Sequence, residues 1–200
     1  MAKRSNKRER LIDAAIQLFY QQGFHQTTIA DIAKLSDVPL GNVYYYFKTK
    51  DEICSAVIKA RHAEVKELIS ELDNLPTSYE KIQGLINFYL SKAEQVSHYG
   101  NIFSSLVQEL SKHESSLAND AKEILTAIIN WLDVQFKDYL GTDNSEFSFD
   151  SAMQLFASIQ GMQILTLSFQ DPKVTERQTT LLTKWLKSLK ITADIQNAAA

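Results

Sequence analysis

Residues 39–52 read PLGNVYYYFKTKDE, placing Tyr44, Tyr45, Tyr46 and Phe47 in a row with Lys48 and Lys50 just behind them. Successive residues of a helix turn by about 100°, so four consecutive aromatics cannot all face one core. An outward tyrosine offers a hydroxyl to a phosphate and a flat ring to a sugar or a thymine methyl. Lysines add positive charge. The chemistry suggested is recognition of a polyanion, not catalysis. No Glu-x-x-His motif occurs, and histidines 25, 62, 98 and 113 show no pairing at metal spacing. Glu109 and His113 are four apart, but two ligands do not make a metal site. Cys54 is the single cysteine, which excludes an internal disulfide and reads as a small buried hydrophobe. Neither catalytic residues, metal nor cofactor is expected, and the chain is not read as an enzyme.

Periodicity and capping signals must supply the elements that position these residues. Leu11, Ala15, Leu18 and Phe19 recur at helical spacing from Lys7 to Gln22, and Gly23 with Phe24 makes the stop. Thr28 with Asp31 opens a helix of about two turns, and Asp37 suits the tight turn behind it. A second short helix runs from about Pro39 to Tyr46. Thr49 and Glu52 then open a long helix ending before DNLP. Two short helices joined by a turn and preceded by a supporting helix describe a helix-turn-helix. Val38, Val43 and Phe47 hold the second short helix down. Leu40, Gly41, Asn42 and Tyr44 to Tyr46 face outward, and Gly41 removes bulk where backbone must approach a ligand. Lys50, at the start of the next helix, is suited to a phosphate.

Charge agrees with this division. The chain of 200 residues carries −3 overall, yet residues 1–50 carry +4 and the remainder −7. The whole chain is no general basic binder, while its N-terminal quarter suits an anion. No run of about 18 apolar residues occurs, so no membrane span or membrane partner is expected. The single cysteine suits a reducing cytoplasm.

Residues 7–53 resemble the DNA-binding domain of the TetR family of bacterial transcription regulators. The resemblance rests on AAIQLF in the first helix, the GF…TT…DIA joint, the G-x-V-Y-x-Y-F helix and the K-x-K-[DE] entry to the fourth helix. It implies an all-α fold. A three-helix DNA-binding domain at 5–65, with its helix-turn-helix at about 28–47, is joined by a long helix to a ligand-binding and dimerisation domain at 66–200. By position, it implies DNA contacts from Thr28, Leu40, Gly41, Asn42, Tyr44, Tyr45, Tyr46 and Lys50, with Tyr44 and Lys50 on phosphates. Pro39 stands where Ser or Thr is common, so the cap of the reading helix is lost. Leu40 stands where a polar reader is frequent.

Beyond residue 60 the resemblance fades, and helices are expected at about 77–97, 101–113, 117–140, 149–170 and 175–189. The family implies a homodimer through the last two. Phe156, Ile159, Gly161, Leu182, Trp185 and Leu186 are the candidate interface residues. An apolar pocket for a hydrophobic or aromatic effector is sought among Phe88, Tyr89, Tyr99, Phe103, Gln108, Trp131, Gln160 and Gln163. The expected function is a cytoplasmic, nucleoid-associated repressor. It binds a palindromic double-stranded operator and is released by a small molecule. An architectural DNA-binding protein without an effector is the alternative.

Overall fold

In a computed structural model the described residues are 6–101, 103–112, 115–141 and 145–198. They form ten helices and no strand. The first four are α1 (Lys7–Gln22), α2 (Ile29–Leu35), α3 (Leu40–Tyr46) and α4 (Lys50–Asp73). Then follow α5 (Ser78–Ser91), α6 (Ala93–Tyr99), α7 (Ser104–Leu110), α8 (Ser116–Leu140), α9 (Ser145–Phe169) and α10 (Lys173–Ala198). The all-α reading holds. The chain divides into two compact units. One is Met1–Glu64 with Ile102–Ile124, the other Val65–Asn101 with Leu125–Ala200. Residues 102–124, which the sequence reading placed with the C-terminal part, pack with the N-terminal segment.

The first unit is built from short helices that begin and end on local signals. Thr28 and Asp31 cap each other at the start of α2. Gly23, with φ 87°, ends α1 and donates its N–H to Phe19 O. Phe24 turns back so that its ring meets Phe19 edge-on at 5.3 Å. Asp37 takes φ 51° in the α2–α3 turn, a left-handed conformation that Asp tolerates. Leu11, Ala15, Ile32, Val38, Val43, Phe47, Ile53 and Val57 close the core.

In the second unit α6 and α10 pack on α9, and α10 packs on α5. Residues 77–97, read as one helix, break at Lys92 with no glycine or proline. The Ser91 hydroxyl donates to Phe88 O, the acceptor that Lys92 would need, and Lys92 N–H turns to Tyr89 O at 3.2 Å. Polar ties reinforce the packing: Trp131 Nε1 donates to Asp73 Oδ1 at 3.0 Å and Tyr139 Oη to Leu186 O at 3.1 Å. No helix of the described residues is long and apolar enough to cross a membrane.

Candidate nucleic-acid interface

Short helix α3 (LGNVYYY) has one buried edge and one open edge. Val43 is fully buried, and Phe47, which ends the helix in extended backbone, is nearly so. Leu40, Gly41, Asn42, Tyr44 and Tyr45 are exposed, Tyr45 to 80%. Tyr46 is half-buried and meets Tyr45 edge-on at 5.1 Å. Asn42 and the three tyrosines donate no side-chain hydrogen bond within the described residues, so their polar groups are available to a partner. Pro39 is the N-cap and makes no side-chain cap, as expected. Its carbonyl accepts from Asn42 N–H at 2.8 Å, which starts the helix without one.

A methyl group added at Gly41 would meet nothing within 4 Å. A glycine inside a helix costs up to about 1 kcal/mol against alanine, less in the first turn where Gly41 lies, and no contact among the described residues requires it. The open space above it suits close approach of an external surface.

Side chains outside α3 set its angle. Arg10, on α1, donates to the carbonyl of Ser36, to Asp37 O at 3.0 Å and to Asp37 Oδ2 at 3.1 Å, fastening the α2–α3 turn. Thr28 caps α2, its hydroxyl donating to Asp31 Oδ2 at 2.6 Å. That bond and the Thr28 N–H hold the Asp31 carboxyl below its ordinary value. Glu109, on α7, accepts from the N–H groups of Phe24 and His25, both at 2.7 Å. Neither Arg10 nor Glu109 was identified in these roles from sequence. Their partners lie 26–27 and 84–85 residues away, where no local pattern reaches. His113, paired with Glu109 in the sequence reading, lies outside the described residues.

Lys50, expected at a phosphate, is turned toward its own unit. Its ammonium donates to the carbonyls of Phe24, His25 and Thr27 at 3.0, 3.3 and 3.1 Å, and sits 4.4 Å above the Phe24 ring. Three protons meet three carbonyls inside the unit, so Lys50 anchors the start of α4 to the turn after α1. Exposed Lys48 donates one bond, to Tyr44 O at 2.6 Å, leaving two protons beside the α3 face. Thr49 Oγ1 accepts from Glu52 N–H as expected, but the Glu52 carboxylate takes Lys48 N–H at 2.7 Å. Arg8, also exposed, lies 5.2 Å over the Phe47 ring. Cys54 is fully buried, and burial pushes its thiol up to about 12, so it carries no reactive thiolate at neutral pH.

The candidate effector residues are divided between the two units. Phe103 and Gln108 belong to the first unit and the other six to the second. Gln108 and Tyr99 are exposed and Phe88 is half-buried, while Tyr89, Trp131 and Gln163 are buried. Asn101 Nδ2 donates to Gln160 Oε1 at 3.0 Å and to Gln163 Oε1. Tyr89 Oη and Gln163 Nε2 are buried with no hydrogen-bond partner among the described residues. Burial raises the Tyr89 phenol well above its ordinary range.

The candidate dimer residues lie mostly inside the second unit. Phe156, Ile159, Leu182 and Leu186 are buried within the second unit itself and Trp185 is half-buried, its ring 6.0 Å from Phe136. They occupy the inward edge of α9 and α10. The outward edge of α9 carries Phe149, Met153, Ala157, Gly161, Ile164 and Leu165, all exposed. Of the six named from sequence, Gly161 alone lies there, and a methyl group added to it would meet nothing within 4 Å.

Known proteins resemble this chain along its length. The sequence profile of the bacterial regulatory proteins, tetR family, matches residues 11–57. An HTH-type transcriptional regulator of Lactococcus lactis subsp. lactis is 30% identical over 185 residues, 88% of this chain and 91% of that one. A TetR transcriptional regulator from Legionella pneumophila superposes with a TM-score of 0.81 at 23% identity, covering 92% of this chain and 98% of that one. The regulator FadR from Bacillus subtilis, crystallised in complex with stearoyl-CoA, superposes at 0.67 with 22% identity over 88% of this chain and 97% of its own. Both structural likenesses carry the fold. The near full-length relative, the N-terminal match and the anchored, outward-facing α3 agree: the chain belongs to the tetR family of bacterial regulatory proteins, DNA-binding transcription regulators.

Proposed function

We propose that the protein is a homodimeric repressor that sets one α3 from each protomer into successive major grooves of a palindromic operator and leaves it when a small molecule binds. The observation that carries this is the α3 face: Leu40, Gly41, Asn42, Tyr44 and Tyr45 exposed over a buried Val43 and Phe47. Two such helices about 34–36 Å apart would match half-sites one helical turn apart. Residues 5–65 hold the reader in this reading, and 66–200 supply the effector site and dimer contacts, apart from α7, which braces the reader. The exposed apolar stripe on α9 supports pairing with a second copy, since a helix apolar on both sides needs cover.

Tyr89 Oη and Gln163 Nε2, buried without partners, support an effector with an apolar body and a polar group able to meet them. The stearoyl-CoA complex of the Bacillus FadR adds acyl thioesters to aromatic compounds as the classes to try first. Release would shift α4, whose residues Lys50–Asp73 belong to both units.

The test is a gel shift on DNA flanking the gene, repeated with a panel of aromatic compounds and acyl thioesters, beside thermal-shift measurements. A ligand that raises the melting temperature and releases DNA from an intact dimer is expected. A ligand that binds without altering operator affinity would overturn the release mechanism, and an architectural role would then stand.

A further inference from the structure

The outward chemistry of α3 points to particular bases. No charged residue lies between Leu40 and Tyr46. The commonest readers of guanine, Arg or Lys placed on O6 and N7, are therefore missing from the helix. Of the cations near it, Arg10 is held on the α2–α3 turn and Lys50 on the carbonyls of residues 24–27, while Lys48 keeps two protons beside the helix and Lys34 lies at its edge, neither of them on α3. What α3 does expose at its start is Asn42, whose amide makes no hydrogen bond among the described residues, and Leu40, 44% exposed. Leu40 continues into a shallow groove with Ala30, Ala33, Val38 and Pro39, whose charged members are Lys34 and Asp37.

Asn matches the N6 and N7 pair of adenine. The C5-methyl of thymine is the major-groove base-edge group that rewards apolar contact. We infer that α3 reads adenine–thymine pairs, with Asn42 on an adenine edge and Leu40, backed by Ala30 and Pro39, on a thymine methyl. This rests on α3 being the DNA reader. It explains why an exposed leucine stands beside a glycine that lets the backbone close on the groove. Selectivity for thymine then comes from one methyl group in an apolar seat, without a hydrogen bond.

Full-length protein is used to select duplexes from a randomised pool, and the selected duplex is remade with each thymine in turn replaced by deoxyuridine. That exchange removes the methyl and keeps the base pair. Binding is read by fluorescence anisotropy at fixed salt. Expected are A·T pairs at the positions facing α3 and at least one thymine per half-site whose methyl is worth about fourfold in affinity. Leu40→Ala, checked by thermal melting to be folded, should lose that sensitivity at the same position, and Asn42→Ala should relax the preference for adenine beside it. Guanine at these positions, with binding lost in Lys34→Ala, would overturn the inference. So would wild-type binding that ignores every deoxyuridine. A pool that yields no enriched duplex would overturn the reader assignment itself, so the two failures are distinguishable.

Discussion

Gly41 stands in a helix whose own packing has no use for a glycine. Its absent methyl group would touch nothing among the described residues, so Gly41→Ala should raise stability by less than about 1 kcal/mol through helix propensity, Gly41 lying in the first turn. The same change should lower operator affinity by about tenfold or more, because a methyl would hold the backbone off the groove. Thermal melting and anisotropy on one preparation check both signs. Asp31 offers a pH test. Its carboxyl is held low chiefly by the Thr28 hydroxyl, then by the Thr28 N–H. The contribution is present above its unfolded value and is lost as pH falls through the lower folded one. The stability gap between wild type and Asp31→Asn, measured by denaturant titration, should therefore narrow as pH falls from about 6 to about 3. Cys54, buried and with its thiol raised, should resist alkylation until the protein unfolds, as mass spectrometry after iodoacetamide would show.

At the scale of elements, the reader is set by what grips it from outside. The α1–α2 turn lies between Lys50, holding its carbonyls, and Glu109, holding two of its N–H groups. Hydrogen bonds to charged groups contribute about 1.5–3 kcal/mol each, with wide dependence on exposure. Glu109→Ala should destabilise the first unit by about 2 kcal/mol by this measure, and urea titration checks it. Lys50→Ala should weaken operator binding through a loosened turn. The slope of affinity against salt should then stay near that of the wild type, whereas loss of a phosphate contact would lower it by about one. Arg10 does comparable work at the next turn, although its partner Asp37 is highly exposed. An ion pair so solvated adds little by itself, and the bonds to the backbone carbonyls do more to fix the turn.

At the scale of the whole molecule, the two edges of α9 make opposite predictions. Leu165→Glu puts a charge on the exposed stripe and should give a folded monomer with weakened operator binding, read by sedimentation and circular dichroism. Phe156→Ala removes a ring from the interior of the second unit. It should cost about 3–5 kcal/mol of stability and leave the dimer intact when folded. A Phe156→Ala monomer of normal stability, with a Leu165→Glu dimer, would return the interface to the edge first inferred from sequence.

Much of this was legible before any coordinates, for an identifiable reason. The stop at Gly23, the Thr28–Asp31 cap, the left-handed Asp37, the uncapped Pro39 and the break after Leu140 all depend on residues within about four positions of one another. So does the division of α3 into a buried Val43–Phe47 edge and an outward Leu40–Tyr45 edge, since helical rotation alone assigns faces once one anchor is known. Where both faces are apolar, rotation cannot say which one is inside, and Phe156 and Ile159, named for a partner, lie buried in their own unit. The break at Lys92 comes without a glycine or proline beside it, so no pattern of residue types announces it. The partners of Lys50, Arg10 and Glu109 are 23 or more residues away in sequence. Local sequence therefore determined most of the helices and the outward face of α3. The tertiary structure alone decided which charged side chains brace that face and which edge of α9 stays exposed.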